Sequence, residues 1–399
     1  GGAIGSGVII DTSKYLTDVL YVSSKEKRRI VHVQPGVSLS SLGQVLKWHG
    51  QMLAGYSGQT GDMTVGGAIA SGSVSAYSYK YSVLGSKIER MEVVLANGDT
   101  IETKRISKRE VSRKRGEQTL EGEIYRQIEA LLEDYQGLIE TLSSDKDSMG
   151  YHIDKVRGKD GSLDLTPLFI GSQGTLGSIS EVILRTDFYS EQEAILAVAC
   201  NTTEQARDIA TLLAPLAPAV LETIDGDYYE AARKHGKRFL FDTKDEALPG
   251  AVVYAIFDDH NERIRLRKLR KAAKLLSARN VRVATSESSR LEDLRALRGA
   301  IEIAELPLRA DETIAAICDG AYVPVERHEE FAMAVVGLAE KSHVKLPLIV
   351  NALTGIVSTR PLLHLKKVAD KQKVFTLLTE YAELVHKAGG TIAGKTAEG

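Results

Sequence analysis

Thr64-Val65-Gly66-Gly67-Ala68-Ile69-Ala70-Ser71-Gly72 and Gly171-Ser172-Gln173-Gly174-Thr175-Leu176-Gly177 are the two stretches on which the fold turns. Small residues let backbone N–H groups converge on an anion without interference from Cβ, which is how a protein holds a pyrophosphate where no charged side chain is at hand. Either segment alone would read as a tight structural turn. Two of them in one chain point to a dinucleotide. Neither matches the G-x-G-x-x-G that opens a helix in nicotinamide-binding domains, and no acidic residue follows at the required offset. FAD therefore fits better than NAD.

Working outward, Gly7-Val8-Ile9-Ile10 and Arg29-Ile30-Val31-His32-Val33 read as strands, the second closed by Pro35-Gly36. Ser38 caps a helix with Leu39, Leu42, Val45 and Leu46 on one face, ending near His49-Gly50, and Trp48 on it is expected to pack. Gly55 to Gly72 carries glycines at 55, 58, 61, 66, 67 and 72 and no regular periodicity. Met91 to Leu95 and Thr100 to Thr103 form a hairpin, with Asn97-Gly98 supplying the positive φ angles of its turn. Lys104 to Lys114, of mixed charge, is expected as a solvated loop, followed by a helix over Glu121 to Asp134 and a strand over Ile179 to Leu184.

Beyond Phe188 strands and helices alternate: Ile195 to Ala199, a helix opened by Thr202-Thr203-Glu204-Gln205, Ala219 to Ile224, Ala251 to Phe257, helix Glu262 to Ala278, and Val281 to Ala284. Ala321 to Val325, helix His328 to Lys341 and Leu346 to Val350 make another such unit. The pattern predicts an α+β sandwich with helices on one face of a sheet, and shows no internal repeat.

With 399 residues, 43% of them hydrophobic, the chain can bury the cores of two or three domains. Lys and Arg total 51 against 53 for Asp and Glu, a net charge of -2, so no global field favours nucleic acid or anionic lipid. Cys200 and Cys318 have no metal-ligand or disulfide spacing and read as buried apolar residues. No apolar run approaches the ~20 residues of a membrane span. The chain reads as soluble and cytoplasmic, and its start at Gly1-Gly2-Ala3 leaves room for truncation.

The segments together resemble the FAD-linked oxidases of the vanillyl-alcohol-oxidase type, in the family's order. His32-Val33-Gln34-Pro35-Gly36-Val37 is similar to that family's strand-turn and Thr64 to Gly67 to its T-I-G-G turn. Lys80-Tyr81 resembles its K-Y, Leu95 to Asp99 its hairpin, Lys146 to Tyr151 its K-N-x-x-G-Y and Gly171 to Gly177 its G-S-E-G-T-L-G. The likeness continues through Leu294 to Arg298, Val323-Pro324, Arg360 to Leu363 and Gly389 to Gly394, and is nearest to the D-lactate dehydrogenase and glycolate oxidase branch. It implies an α+β chain with a PCMH-type FAD-binding domain over 1–187 and a ferredoxin-like substrate domain over 188–399, incomplete at both ends. It also implies noncovalent FAD contacted by Thr64, Val65, Gly66, Gly67, Ala70, Ser71, Gln173, Gly174, Thr175, Gly177 and Ile179. The implied activity is oxidation of a small 2-hydroxyacid, a carboxylate, with electrons passed to an external acceptor.

The catalytic positions depart from the branch. Its two metal-binding histidines, carboxylate and adjacent base look here like Asn351, Ser358, Lys395 and Thr396, none a good divalent-metal ligand, so no metal is expected. Oxidation still requires the hydroxyl proton to leave. Lys395 is a candidate to take it or to grip a carboxylate, His152 is a weaker candidate beside the Gly150-Tyr151 element, and Arg298 is the candidate carboxylate anchor. The replacements also admit a degenerate flavin-binding scaffold without turnover. Gly389 to Thr396 spells the G-x-x-x-x-G-K-[ST] phosphate loop, but it follows a helix instead of joining a strand to one, which argues against nucleotide hydrolysis.

Overall fold

The computed structural model describes residues 8–25, 28–54, 63–142, 150–189, 192–242, 247–304, 313–314, 318–363 and 367–395. The chain divides into two compact units, Gly1–Tyr189 with Ala393–Glu398 and Ser190–Ile392 with Gly399.

The first unit is built on a five-stranded antiparallel sheet ordered Val19–Lys25, Arg28–Val33, Ser178–Arg185, Ile88–Val94, Thr100–Thr103. Val31, Val33, Val182, Leu184, Met91 and Val93 alternate onto one face and pack against Leu39, Leu42 and Leu46 of helix Leu39–Trp48. Each fully buried leucine there contributes roughly 1.5–3 kcal/mol of apolar burial. Ser38 caps this helix as expected, its side chain accepting from the Ser41 N–H. Trp48 does not pack: it lies two residues, about 200°, beyond Leu46 and is 89% exposed. Val8, Ile9 and Ile10, expected as strand, join no sheet among the described residues and are exposed.

Two local expectations change in kind. In the hairpin only Gly98 takes a positive φ, +89°, and its N–H returns to the Leu95 carbonyl while the Leu95 N–H bonds Asp99. The loop is thus a three-residue turn closed by a bulge at glycine, not the two-residue turn that needs positive φ at Asn97 as well. The charged patch contains a helix, Lys108–Arg115, because Ser107 and Glu110 form a reciprocal capping box and Val111 is buried.

In the second unit a seven-stranded sheet runs Arg282–Thr285, Ala194–Cys200, Ala251–Phe257, Val220–Asp225, Leu348–Asn351, Ile356–Thr359, Cys318–Tyr322, every neighbour antiparallel. Numbered along the chain, the first four strands lie 4-1-3-2 with helices Thr203–Leu213 and Glu262–Leu276 as crossovers, the ferredoxin-like arrangement. The remaining elements repeat it: Cys318–Tyr322, His328–Ser342, Leu348–Asn351, Ile356–Thr359 and Val368–Lys387, with Thr391 bridging Tyr322 where a fourth strand would lie. A repeat invisible in the sequence is therefore present in the topology, its halves joined between Val220–Asp225 and Leu348–Asn351.

The sheet is also covered on both faces rather than one. Every residue of Ala194–Cys200 and Ala251–Phe257 is buried. Leu196, Val198, Val253 and Phe257 pack against Ile209, Leu213 and Leu269 on one side. On the other, helices Gly226–Lys234 and Leu291–Ala304 pack on each other, and Arg298 of the second reaches the sheet. The near-continuous apolar runs in these strands are what two-sided burial demands.

Candidate active site

Within the glycine-dense stretch Thr64 caps a short helix, Val65–Ala70, its Oγ1 accepting from the Gly67 N–H at 3.2 Å. Tertiary packing overrides the poor helix propensity of two glycines. Val65, Ala68 and Ile69 are buried, the Val65 N–H donates to Val37, and the Gly66 N–H donates to Pro35 at 2.8 Å. A Cβ at Gly66 would lie 2.6 Å from that of Pro35, so the helix seats on the strand-turn ending at Val37 only because position 66 is glycine. Its outward face is then Gly67, Ala70 and Ser71, a platform of small side chains.

The second glycine segment meets this platform. The Gly171 N–H donates to the Ile69 carbonyl and the Gln173 N–H to the Ala70 carbonyl, both at 2.9 Å. Tyr151, at φ +50°, donates from its hydroxyl to Thr175 Oγ1 at 2.5 Å, and Thr175 in turn donates to the Ser172 carbonyl at 2.7 Å. Gln173 also holds a positive φ, +52°, a conformation that costs a non-glycine residue of order 1–2 kcal/mol. A third segment arrives from the end of the chain, where the Lys395 carbonyl accepts the Val74 N–H at 2.9 Å. Ile179 is partly buried against the core behind the loop, and His152 is half-buried next to Tyr151. Lys146 to Met149, Gly55, Gly58, Gly61 and Thr396 lie outside the described residues.

The mode expected for the first loop needs correction. The amides of Val65, Gly66 and Gly67 are already donated within the chain, so that segment offers a close, side-chain-free approach and no N–H cradle. The second loop does offer amides: those of Gly174 and Leu176 have no acceptor among the described residues, and a Cβ at Gly174 would meet nothing within 4 Å. A flat small-residue face beside open amides suits a planar ring carried on an anionic chain.

In the second unit the register Tyr254↔Glu222↔Asn351 places these side chains in one row of the sheet, with Ser358 opposite Asp319 on the same face. Arg298 grips Glu222, which is 4% exposed, through Nε at 2.6 Å and Nη2 at 3.2 Å. Its fork is thus occupied by an internal carboxylate, and Arg360 likewise pairs with Asp319. Asn351 Oδ1 accepts the N–H groups of Leu353 and Thr354, so it shapes the turn. Together with neutral Ser358, this donor set does not fit a divalent metal. Burial pushes the Tyr254 hydroxyl well above its usual range, leaving it a neutral donor in this row.

Residues 1–104 match the FAD binding domain family, and residues 190–395, more than half of the chain, match the FAD linked oxidases, C-terminal domain. The chain belongs to the FAD-linked oxidases. FAD is the cofactor of this family. Among curated proteins it is similar to D-2-hydroxyglutarate dehydrogenase of Haemophilus influenzae, 24% identical over all of this chain and 40% of that protein. It is also similar to glycolate oxidase subunit GlcD of Bacillus subtilis, 23% identical over 98% of this chain and 72% of that one. It thus spans about two fifths of the first relative's length. Among solved structures, 4-ethylphenol oxidase from Gulosibacter chungangensis shares the fold, with a TM-score of 0.62 at 15% identity over 96% of this chain and 71% of that one.

The phosphate-loop spelling is accounted for differently in this FAD-linked oxidase. Gly389 follows the helix end at φ +75°, a Cβ at Gly390 would lie 2.0 Å from the Tyr322 carbonyl, and Thr391 pairs with Tyr322. These glycines fit the chain along a strand edge, and no helix opens after them among the described residues. Sequence reasoning missed Glu222 and Asp319. The signal for Glu222 was present, since a lone carboxylate inside the apolar run Ala219 to Ile224 needs a buried partner. No helix among the described residues is long and apolar enough to cross a membrane.

Proposed function

We propose that the chain works as an FAD-dependent oxidoreductase on a small 2-hydroxyacid of the D-lactate, glycolate or D-2-hydroxyglutarate kind, in the cytoplasm, passing electrons to an external acceptor. In this reading residues 1–187 bind FAD and residues 188–399 serve the substrate. The observation that carries it is the joining of the two glycine segments, Gly171 to Ile69 and Gln173 to Ala70, at 2.9 Å each. When bound, FAD accepts the hydride equivalent released at the carbinol carbon. Gly67, Ala70 and Ser71 give its ring a flat approach, while Gln173, Gly174, Thr175 and Gly177 meet its polar chain, with Thr64, Val65, Gly66 and Ile179 holding that surface in place.

Because Arg298 is held by Glu222, Lys395 is the stronger candidate to take the substrate carboxylate, and its main chain is tied to the platform through Val74. Arg298 then acts by keeping Glu222 neutralised within the sheet row. Asn351 and Ser358 support a reaction that runs without a divalent metal. The same replacements favour a second reading, a flavin-binding scaffold without hydroxyacid turnover. The purified protein is expected to be yellow with bound oxidised flavin. Anaerobic addition of D-lactate, glycolate or D-2-hydroxyglutarate, with EDTA present, then decides: bleaching supports the enzyme, persistent colour with all three supports the scaffold, and absence of flavin binding refutes both.

A further inference from the structure

On the second unit's sheet, over the seam between its two ferredoxin-like halves, helices Thr203–Leu213 and His328–Ser342 leave a cavity of about 270 Å³ between them. That is close to the lower end of the ~300–1,000 Å³ typical of small-ligand pockets. Its apolar wall is aliphatic and aromatic, formed by Phe331, Val335, Leu348, Val350 and Val357. Three polar groups converge on it with capacity unused. Asp225 accepts the Leu348 N–H at 2.7 Å through Oδ2, and its Oδ1 has no partner among the described residues. Arg207 lines the cavity without an ion pair or hydrogen bond among the described residues, as does the hydroxyl of Thr223, a residue only 8% exposed.

A polar group left unsatisfied in such a place costs of order 1–3 kcal/mol unless water or a ligand completes it. Glu204 lies at the mouth, and His328, whose Nε2 bonds the Val323 carbonyl at 3.0 Å, closes the floor. Burial holds the His328 imidazole toward its neutral form. The cavity therefore presents one cationic fork, a partly buried carboxylate at Asp225 with a second, exposed one at Glu204, and an apolar wall. A carboxylic acid alone would leave Asp225 unanswered, and an amine alone would leave Arg207 so.

We propose that this cavity is a binding site for a free α-amino acid with an aliphatic side chain, its carboxylate on Arg207, its ammonium on Asp225 and its side chain against Phe331 and Val335. The site is separate from the residues assigned to FAD and to the hydroxyacid, so its failure would leave that reading standing. Two-sided recognition of this kind discriminates by what an incomplete ligand leaves unpaired.

Calorimetric titration of the whole chain with L-leucine tests it, with 4-methylpentanoate and isopentylamine as probes lacking the ammonium and the carboxylate. Saturable leucine binding is expected, at least about tenfold tighter than either analogue, a difference of about 1.4 kcal/mol. Arg207→Met is expected to weaken leucine by about tenfold or more while leaving isopentylamine unchanged. Asp225→Asn is expected to do the same to leucine while leaving 4-methylpentanoate unchanged. Circular dichroism checks that each variant is folded, and Arg207, only half-buried on a helix surface, provides the test should Asp225→Asn fail to fold. No saturable heat up to about 10 mM leucine, equal binding of the analogues, or wild-type affinity in folded Arg207→Met overturns the proposal.

Discussion

Gly150→Ala and Gly174→Ala form a matched pair that isolates the contact between the Gly150-Tyr151 element and the second glycine segment. Both glycines hold left-handed backbone, φ +88° and +78°, so each alanine pays the same conformational cost of roughly 1–2 kcal/mol. They differ in what the new methyl meets. At Gly174 it meets nothing within 4 Å, whereas at Gly150 it would lie 2.4 Å from the Gly171 carbonyl oxygen and 2.6 Å from its carbon. Both obstacles are backbone, and the Gly171 N–H is tied to Ile69, so the loop can yield only by loosening its junction with the platform. Overpacking of that kind adds about 1–3 kcal/mol. Gly150→Ala is therefore expected to lose about 2–5 kcal/mol in urea unfolding and to purify with less FAD. Gly174→Ala should lose about 1–2 kcal/mol, with the loop still in place. If the two variants unfold within about 0.5 kcal/mol of each other and retain flavin equally, the packing of Gly150 on Gly171 is not what holds the loop.

Three further outcomes follow from the second unit. Burial, assisted by Asp227 and opposed by the Leu348 N–H and Arg207, raises the Asp225 carboxyl from its ordinary 3.8 to about 6. A raised acid contributes stability that is present below 3.8 and lost as pH rises through about 6, at most roughly 3 kcal/mol. Asp225→Asn, whose amide oxygen can still accept from Leu348, should thus be more stable than the parent at pH 8 and no better at pH 4 in paired urea melts. Removing the guanidinium with Arg298→Met strands a buried Glu222 charge and should cost about 3–5 kcal/mol. Adding Glu222→Gln should recover most of that, and if the double variant is as unstable as the single, the pair is not coupled. Burial pushes the Cys200 and Cys318 thiols up to about 12, so an aromatic disulfide reagent should label neither in the native protein and both in urea.

Much of the fold was legible residue by residue. Ser38 and Thr202 cap the helices expected of them, and Ala251–Phe257 is a strand over the expected residues. These succeed because caps and apolar runs act over a few bonds. Ser107 and Glu110 were equally readable, yet the density of charge around them masked a helix that rests on one buried valine. Trp48 misled for a different reason: aromatic character argues for burial, but its angular position on the helix relative to Leu42 and Leu46 decides.

By itself the sequence determined that two small-residue loops with the order of a flavin-binding chain are present and that the second half is built of alternating strands and helices. Only the tertiary structure decided that the Gly66 and Gly67 amides are engaged while those of Gly174 and Leu176 are open, that Arg298 answers Glu222, and that the second unit contains one motif twice. The physical reason is one of range. Conformational preference resides in a residue and its neighbours, but the acceptor for an amide and the counter-charge for a guanidinium come from segments tens of residues away, chosen by strand register and packing that no local pattern encodes.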